Sequence, residues 1–229
     1  MRTNLPVLTF SLGALLVCSC SSHRYYTTSA FEQQAAKHKI IAVLPAEMVF
    51  TGTQPKNITP EAIAQLEEAE STLFQNALYN GILRYADTRK YMTTVAVQDI
   101  TATRRMLEEN GISVRDSWNE DDKKLAEVLC VDAVVRMRIV KKRYMSDLAS
   151  MGISVGRQVV SQVAGGRFPV PYVPNKTNEI YASCNVVSNR QTLWNDSYRG
   201  NSNYSTSSEQ VVDAITDNFG RHFPYKRRR

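Results

Sequence analysis

Histidine and cysteine, the residues that most often bind metals or act as nucleophiles, are scarce in this chain. Among its 229 residues are three histidines and four cysteines. His23, His38 and His222 are widely separated, and none of them has a partner at metal-ligand spacing. The sequence therefore predicts neither a metal site nor a cofactor site.

The chain also lacks an apolar run of about 20 residues, the length that a membrane-spanning helix needs. Its main apolar run, residues 5–17, follows Met1 and Arg2 and has the length of the apolar region of a signal peptide. Polar residues 21–24 end this region. Residues 1–19 are therefore predicted to be a signal peptide rather than a membrane-spanning anchor.

A cysteine follows a small residue at the end of this region. Val17-Cys18-Ser19-Cys20 resembles the lipobox of bacterial lipoproteins, whose cysteine is acylated, with palmitate for example, and becomes the mature N-terminus. Cys20 fits better than Cys18, because a small residue precedes Cys20. The resemblance implies an outer-membrane lipoprotein, since Ser21 is not an acidic retention residue, with its domain facing the periplasm. An ordinary signal peptide that is cleaved near Ser19 is the alternative.

A strong charge of one sign is absent from the body of the chain. The formal net charge is +6, of which Arg2 contributes one positive charge and residues 226–229 contribute four. The remainder is nearly neutral and has no aromatic and basic motif, which argues against a nucleic-acid partner. The basic tail, 226–229, either contacts anionic lipid or lipopolysaccharide phosphates or is a solvated, disordered terminus.

Two cysteines, Cys130 and Cys184, remain after processing at Cys20. An oxidising compartment would allow them to pair as a disulfide. Both lie in apolar sequence, which is equally typical of two buried thiols. The sequence leaves both states open.

A change in composition marks the start of the folded domain, which is predicted to span residues 39–225. Residues 20–38 are polar and predict a tether between the lipid and the domain. The apolar, β-branched run at 40–44, stopped by Pro45, predicts a buried strand. Residues 93–100 predict a second strand. Apolar and polar residues alternate over 131–140, which predicts a third strand with one buried face.

Four helices are predicted from apolar periodicity and capping residues. Thr59 and Pro60 begin a long helix whose apolar residues predict one packing stripe: Ile63, Leu66, Leu73, Phe74, Ala77, Leu78, Ile82 and Tyr85. Asp99 or Thr101 begins the second helix, and Asn119 or Glu120 begins the third. The last helix follows the capping-box spacing of Thr206 and Glu209 and ends near Phe223.

A long insertion separates the third strand from a predicted β-hairpin. Residues 147–178 are rich in glycine, serine, valine and proline, and long insertions are usually functional or mobile. Small residues at 151–166 suit an oligomer contact or a membrane surface, and a flexible surface loop is the alternative. Residues 180–187 and 192–199 then read as the two strands of the hairpin.

This order of elements resembles a known family. A helix ending in Leu125-Ala126-Glu127-Val128-Leu129-Cys130 leads into a strand that begins Val131-Asp132-Ala133. Residues 39–145 resemble the periplasmic α/β domain of CsgG-like curli-export lipoproteins and, more distantly, the amino-terminal domain of TolB. Cys130 replaces the usual glycine of that pattern. The resemblance implies the fold and the compartment rather than a membrane channel, because the sequence shows no clear pair of long alternating hairpins that could build a membrane barrel.

One catalytic motif provides an alternative function. Residues 152–156 match the G-x-S-x-G pattern of hydrolases, with Ser154 as the nucleophile, His222 as the base and Asp196 or Asp213 as its orienting acid. No buried strand precedes the motif and no glycine-rich oxyanion loop lies upstream. A loop of small residues is the other interpretation.

Two further clusters are interpreted structurally. Glu120, Asp121 and Asp122 stand at a helix start, where capping and the helix dipole favour carboxylates, so no cation site is predicted. The aromatic residues Trp118, Trp194 and Tyr198 would suit a sugar-stacking surface, but half-buried sheet aromatics are the more common arrangement.

Together these features predict a single α/β (α+β) domain with a mixed sheet of about five strands and helices mainly on one face. The predicted function is that of a non-enzymatic accessory or assembly component of a cell-envelope or secretion system. This function implies three partners: the lipid bilayer, an envelope protein and a second copy of the chain. A serine hydrolase that uses Ser154 is the alternative.

Overall fold

A computed structural model describes residues 25–53, 59–86, 88–144, 177–203 and 205–229. Six helices occur in these ranges: α1 (Phe31–Ala35), α2 (Pro60–Ala86), α3 (Ile100–Glu109), α4 (Val114–Ser117), α5 (Asp122–Val128) and α6 (Ser208–His222). Cys20 and Ser154 lie outside the described residues, as does almost all of the predicted insertion at 147–178.

The described strands form one large sheet and one small sheet. They are β1 (Tyr26–Thr27), β2 (Ile40–Val43), β3 (Glu47–Gly52), β4 (Tyr91–Thr93), β5 (Ala96–Val97), β6 (Ala133–Arg143), β7 (Asn178–Ser188), β8 (Gln191–Ser202) and β9 (Lys226–Arg228). The large sheet has the order β1-β8-β7-β6-β2-β5, and β3 also pairs with β6. Strands β4 and β9 form the small sheet.

The large sheet is mixed, which confirms the predicted α/β class with a mixed sheet. Strand β6 pairs in parallel with β2 and β3 and antiparallel with β7, while β2 also pairs in parallel with β5. The sheet has seven strands rather than about five. The two additional strands are β1, which has two residues and therefore no periodic signal, and the six-residue β3, which was not predicted. The single strand predicted at 93–100 is replaced by the short strands β4 and β5, and Ile100 begins α3.

The main core lies between the sheet and the two long helices, α2 and α6. Side chains from β2, β6, β7 and β8 meet both helices there; among the buried members are Ile41, Val135, Ile139, Cys184, Trp194, Phe74, Leu78, Ile82, Ile215 and Phe219. A smaller cluster on the opposite face joins α3 and α5 to the sheet through Leu44, Leu107, Leu125, Leu129 and Val134. The longest helices thus share one face, and short helices cover part of the other.

The predicted hairpin and the predicted starts of α2 and α3 are confirmed, whereas α5 is capped by Asp121 rather than by Asn119 or Glu120. Strands β7 and β8 pair antiparallel along their length, with a register shift between Val186 and Val187. Asp99 caps α3 by accepting from the amides of Thr101 and Ala102. The capping box of α6 is formed by Ser207 and Gln210, one residue beyond the predicted pair.

Much of the N-terminal segment that was predicted to be a tether belongs to the folded domain. Residues 20–38 were expected to be a polar spacer, but β1 pairs with β8 and the side chain of Phe31 belongs to the main core. His38 contacts the hydroxyl group of Tyr225, with 2.6 Å between Nδ1 and Oη. Residues 25–38 are therefore part of the folded domain, because one aromatic residue and one strand pairing hold them in place.

The basic tail is ordered rather than a disordered terminus. Residues 226–228 form β9, which pairs antiparallel with β4 in the register Tyr91 opposite Arg228 and Thr93 opposite Lys226. Tyr225, directly before β9, is almost fully buried. Burial of the Tyr225 ring anchors the segment that precedes the basic side chains.

Helices α2 and α6 approach each other at two glycines. A Cβ atom on Gly220 would lie 2.7 Å from the carbonyl oxygen of Gly81, and a Cβ atom on Gly81 would lie 3.0 Å from the carbonyl oxygen of Thr216. Each contact is with backbone, which cannot move aside as a side-chain end can. The spacing of the two longest helices thus requires glycine at 220.

We expect Gly220→Ala to lower the free energy of unfolding by about 1–3 kcal/mol, because the added methyl group forces the two helices apart. Urea unfolding measures the change. Asp213→Ala, an exposed change on the same helix, is the control and should stay within about 0.5 kcal/mol of the unmodified protein. Equal midpoints for the glycine variant and the control would contradict the close approach.

Candidate functional site

A buried carboxylate on β8 organises a polar cluster in the main core. Asp196 has no exposed surface. Its Oδ2 accepts a hydrogen bond from Nδ2 of Asn218 at 3.2 Å and lies 2.9 Å from Nδ1 of His222. Its Oδ1 accepts from the amide of Ser197 at 2.8 Å. A buried carboxylate requires such partners, and here two of them come from α6.

The imidazole of His222 connects this cluster to the start of the folded domain. Its side chain is 19% exposed, and its ring stacks on the ring of Tyr25 with 5.5 Å between centroids and 22° between planes. The last turn of α6, strand β8 and the N-terminal segment therefore meet at His222.

This geometry bears directly on the predicted catalytic residues. Asp196 and His222 are in contact, as the hydrolase hypothesis requires of the acid and the base. Asp213 is exposed on α6 and does not join them. Ser154 lies outside the described residues, so the described chain contains two members of the predicted set. A carboxylate beside Nδ1 can orient an imidazole for catalysis. The same contact can also serve only to hold the end of α6 against β8.

Both described cysteines are free thiols, which answers the question of their pairing. Cys184 is fully buried on β7, directly across from Asp196 on β8. Burial raises the pKa of the Cys184 thiol strongly, and the charge of Asp196 raises it further. Cys130 is exposed at the end of α5 with a φ of 53°. A left-handed backbone at this position explains why glycine is usual in the pattern that Cys130 interrupts.

The acidic residues at the start of α5 have structural partners, as predicted. Asp121 caps α5 by accepting from the amides of Lys123 and Lys124. Asp122 forms an ion pair with Arg136, and Glu120 forms one with Lys124 at 2.6 Å. Among the described residues, no group of three histidine, cysteine, aspartate or glutamate side chains is placed to hold a metal ion.

Arg136 was not singled out by the sequence, yet it holds the α4–α5 connection. Its Nη1 donates to the carbonyl oxygens of Ser117 and Trp118 at 3.0 and 3.1 Å, and its Nη2 donates to that of Glu120. These carbonyls lie at the end of the four-residue helix α4 or directly after it, where carbonyl groups lack an intrahelical partner. The predicted polar face of β6 thus acts as a clamp on this loop.

The sugar-stacking interpretation of the aromatic residues is not supported for either tryptophan. Trp194 is fully buried and meets Phe223 edge-on, with 6.1 Å between ring centroids. Trp118 is 9% exposed and lies under the guanidinium of Arg115. Both tryptophans therefore belong to the main core, but the alternative of half-buried sheet aromatics does not describe them either, since Trp194 is fully buried on β8 and Trp118 directly follows α4.

The outer face of α2 differs from the single packing stripe that was predicted. Phe74, Leu78 and Ile82 are buried as expected, but Leu66 and Leu73 are 46% and 45% exposed. They belong to a second row, the outer stripe, whose positions alternate in steps of four and three residues: Ala62, Leu66, Ala69, Leu73, Asn76, Asn80 and Leu83. The apolar periodicity of the sequence predicted one stripe because two opposite faces of the helix both carry apolar residues.

No helix in the described part of the chain combines the length and apolar character needed to cross a bilayer. The outer stripe lies on the side of α2 opposite the buried Phe74, Leu78 and Ile82. Its spacing is that of a helix seam, in which apolar residues recur every 3.5 positions on average.

The difference between the two thiols leads to a chemical prediction. We expect iodoacetamide at mildly alkaline pH to modify Cys130 in the folded protein and Cys184 only after denaturation, because burial excludes the reagent and disfavours the thiolate. Peptide mapping by mass spectrometry reads out each site. Cys130→Ser, the control, should leave no rapidly modified site between residues 25 and 229, and rapid labelling of Cys184 would contradict its burial.

The buried carboxylate leads to a stability prediction. Asp196→Ala should lower the free energy of unfolding by about 2–4 kcal/mol, since His222, Asn218 and the Ser197 amide all lose their acceptor. Asp196→Asn, which keeps an oxygen acceptor, should cost less. Chemical unfolding compares both variants with Asp213→Ala, and a loss no greater than that of Asp213→Ala would rule out the network.

No protein-family model matches this chain, and neither does any curated protein. Among solved structures, it is similar to the PelC dodecamer from Paraburkholderia phytofirmans, with 8% identity over 86% of this chain and 95% of that chain and a TM-score of 0.41. It is also similar to lipoprotein GNA1162 from Neisseria meningitidis, with 15% identity over 79% and 97% and a TM-score of 0.35. The C-terminal domain of LpoB from Salmonella enterica shows 9% identity over 71% and 82%, with a TM-score of 0.33. At these values the similarities assign neither a family nor a function.

Proposed function

We propose that this protein is a lipid-anchored component of the bacterial outer membrane that acts without catalysis, by binding protein partners in an envelope or secretion assembly. The outer stripe of α2 is the observation that carries this proposal. An assembly component needs a surface that another protein can cover, and the stripe has the chemistry and length of such a surface.

The stripe is suited to a helical partner for two reasons. Helix α2 has 27 residues, which corresponds to a length of about 40 Å. The stripe itself carries leucine, alanine and asparagine and no charged side chain. Alanines between leucines allow close approach of a second helix, and the exposed Asn80 provides a hydrogen-bonding group that would fix its register.

The anchor in this proposal is acylated Cys20. Lipidation would hold the domain at the bilayer, and the compartment follows from the lipobox resemblance and from Ser21. The CsgG-like and TolB-like resemblance of residues 39–145 belongs to the same proposal, since it implies an envelope protein with a periplasmic domain.

Two experiments test the parts of this proposal separately. Metabolic labelling with a palmitate analogue should label the unmodified chain and Cys18→Ser, whereas Cys20→Ser should remain unlabelled. Labelling that survives Cys20→Ser would exclude the proposed anchor.

The partner surface is tested by site-specific photo-crosslinking in intact cells. A photoreactive residue at Leu73 should give discrete crosslinked bands, and the same residue at the exposed Arg105 on α3 serves as the control. Identical band patterns at both positions, or no bands at either, would exclude the outer stripe as the binding surface.

The second candidate is a serine hydrolase that uses Ser154, His222 and Asp196. The 2.9 Å contact between the acid and the base favours it. Purified protein would be assayed on short-chain esters, with Ser154→Ala as the decisive variant. Activity that is abolished by this substitution would establish the hydrolase, and activity that is unchanged would eliminate it.

A further inference from the structure

One end of the domain carries a concentrated positive charge. The pairing of β4 with β9 brings together basic residues from two distant parts of the sequence, and α2 and α6 add their C-terminal residues. We call this surface the basic end; it comprises Arg84, Arg89, Lys90, Arg221, Lys226, Arg227, Arg228 and Arg229. All are exposed except Lys226, which is half-buried.

The basic end accounts for the net charge of the protein. Residues 84–93 and 217–229 contain eight basic and two acidic residues, Asp87 and Asp217, so their charge equals the +6 of the whole chain. Asp217 pairs with Arg84 at 3.2 Å and with Arg221 at 4.0 Å. The charges of the rest of the chain sum to zero. The positive electrostatic potential of the protein is therefore concentrated at the basic end.

Aromatic and apolar groups lie among these charges. The Tyr91 ring has the ammonium groups of Lys90 and Lys226 at 5.5 and 5.4 Å from its centroid. Met92, next along β4, is 37% exposed. Basic side chains mixed with tyrosine and an exposed methionine match the headgroup region of a bilayer, where charge and apolar surface are both accommodated.

The path of the chain brings the proposed lipid to the same end. Tyr25 stacks on His222, the last residue of α6, and Arg221 precedes His222. Tyr25 is five positions after Cys20, and five extended residues span at most about 18 Å. An acyl group on Cys20 would therefore hold the basic end close to the membrane surface.

We propose that the basic end faces the bilayer and binds the phosphate-bearing headgroups of anionic lipids, so that lipid and charge together orient the domain. This inference rests on the proposed acylation of Cys20. Acyl chains anchor a protein but leave it free to rotate about the tether, and a basic surface beside the anchor removes that freedom. The outer stripe of α2 would then have a defined direction relative to the membrane.

Hydrogen–deuterium exchange of the acylated full chain, purified from membranes, tests this arrangement. The protein would be reconstituted into vesicles of phosphatidylcholine alone or of phosphatidylcholine mixed with phosphatidylglycerol. We expect amides at 88–93 and 226–229 to exchange about tenfold more slowly in the anionic vesicles. Raising the salt to about 1 M, where the Debye length is about 3 Å, should remove the difference.

Charge-reversal variants identify the residues responsible. Arg227→Glu with Arg228→Glu should abolish the protection, whereas Lys123→Glu with Lys124→Glu, a matched reversal on α5, should preserve it. If the variant with Arg227→Glu and Arg228→Glu folds poorly, the effect of salt on exchange in the unmodified protein still decides the test. Equal exchange in the two vesicle types would overturn the proposal, as would equal protection by heparin without vesicles, which would indicate a soluble polyanion.

Failure of the anchor is distinguishable from failure of this inference. A chain without an acyl group would carry no lipid mass by mass spectrometry, which would remove the proposed function itself. An acylated chain that stays on both vesicle types without a difference in exchange would leave the anchor intact and overturn the orientation alone.

Discussion

Strand β6 is the element on which the rest of the structure depends. Its 11 residues pair with β2 and β3 on one side and with β7 on the other. Val135 faces α2 and α6, while Val134 faces α3 and α5. Because both faces and both edges of the first half of β6 are occupied, every large element of the domain is positioned relative to this strand.

The position of β6 also determines which surfaces stay exposed. With α2 packed on the sheet through Phe74 and Leu78, its opposite side must face outwards, and the leucines of the outer stripe are exposed for that reason. Helix α6 packs beside α2 at Gly81 and Gly220, which places its last turn and His222 at one end of the domain. The N-terminal segment and β9 meet at that same end. The surfaces proposed for protein and lipid partners are thus consequences of one packing arrangement.

The buried Asp196 illustrates how a stabilising interaction and a catalytic one share a geometry. Its bonds to Asn218 and His222 connect β8 to α6 across the core. A carboxylate with no exposed surface would be costly without these partners. The contact is therefore explained by folding alone, and only the position of Ser154 relative to His222 would give it a catalytic meaning.

The sequence by itself determined the elements whose signals are local: the strand at 40–43, the alternation along β6, the β7–β8 hairpin and the caps of α2 and α3. Each signal extends over several neighbouring residues, so periodicity and capping chemistry reveal it. Tertiary structure alone decided the pairing of β1 and of β9, the division of α2 into an inner and an outer face, and the clamp formed by Arg136. Two- and three-residue strands have no period, and contacts between residues far apart in the chain exist only once β6 has brought its neighbours together.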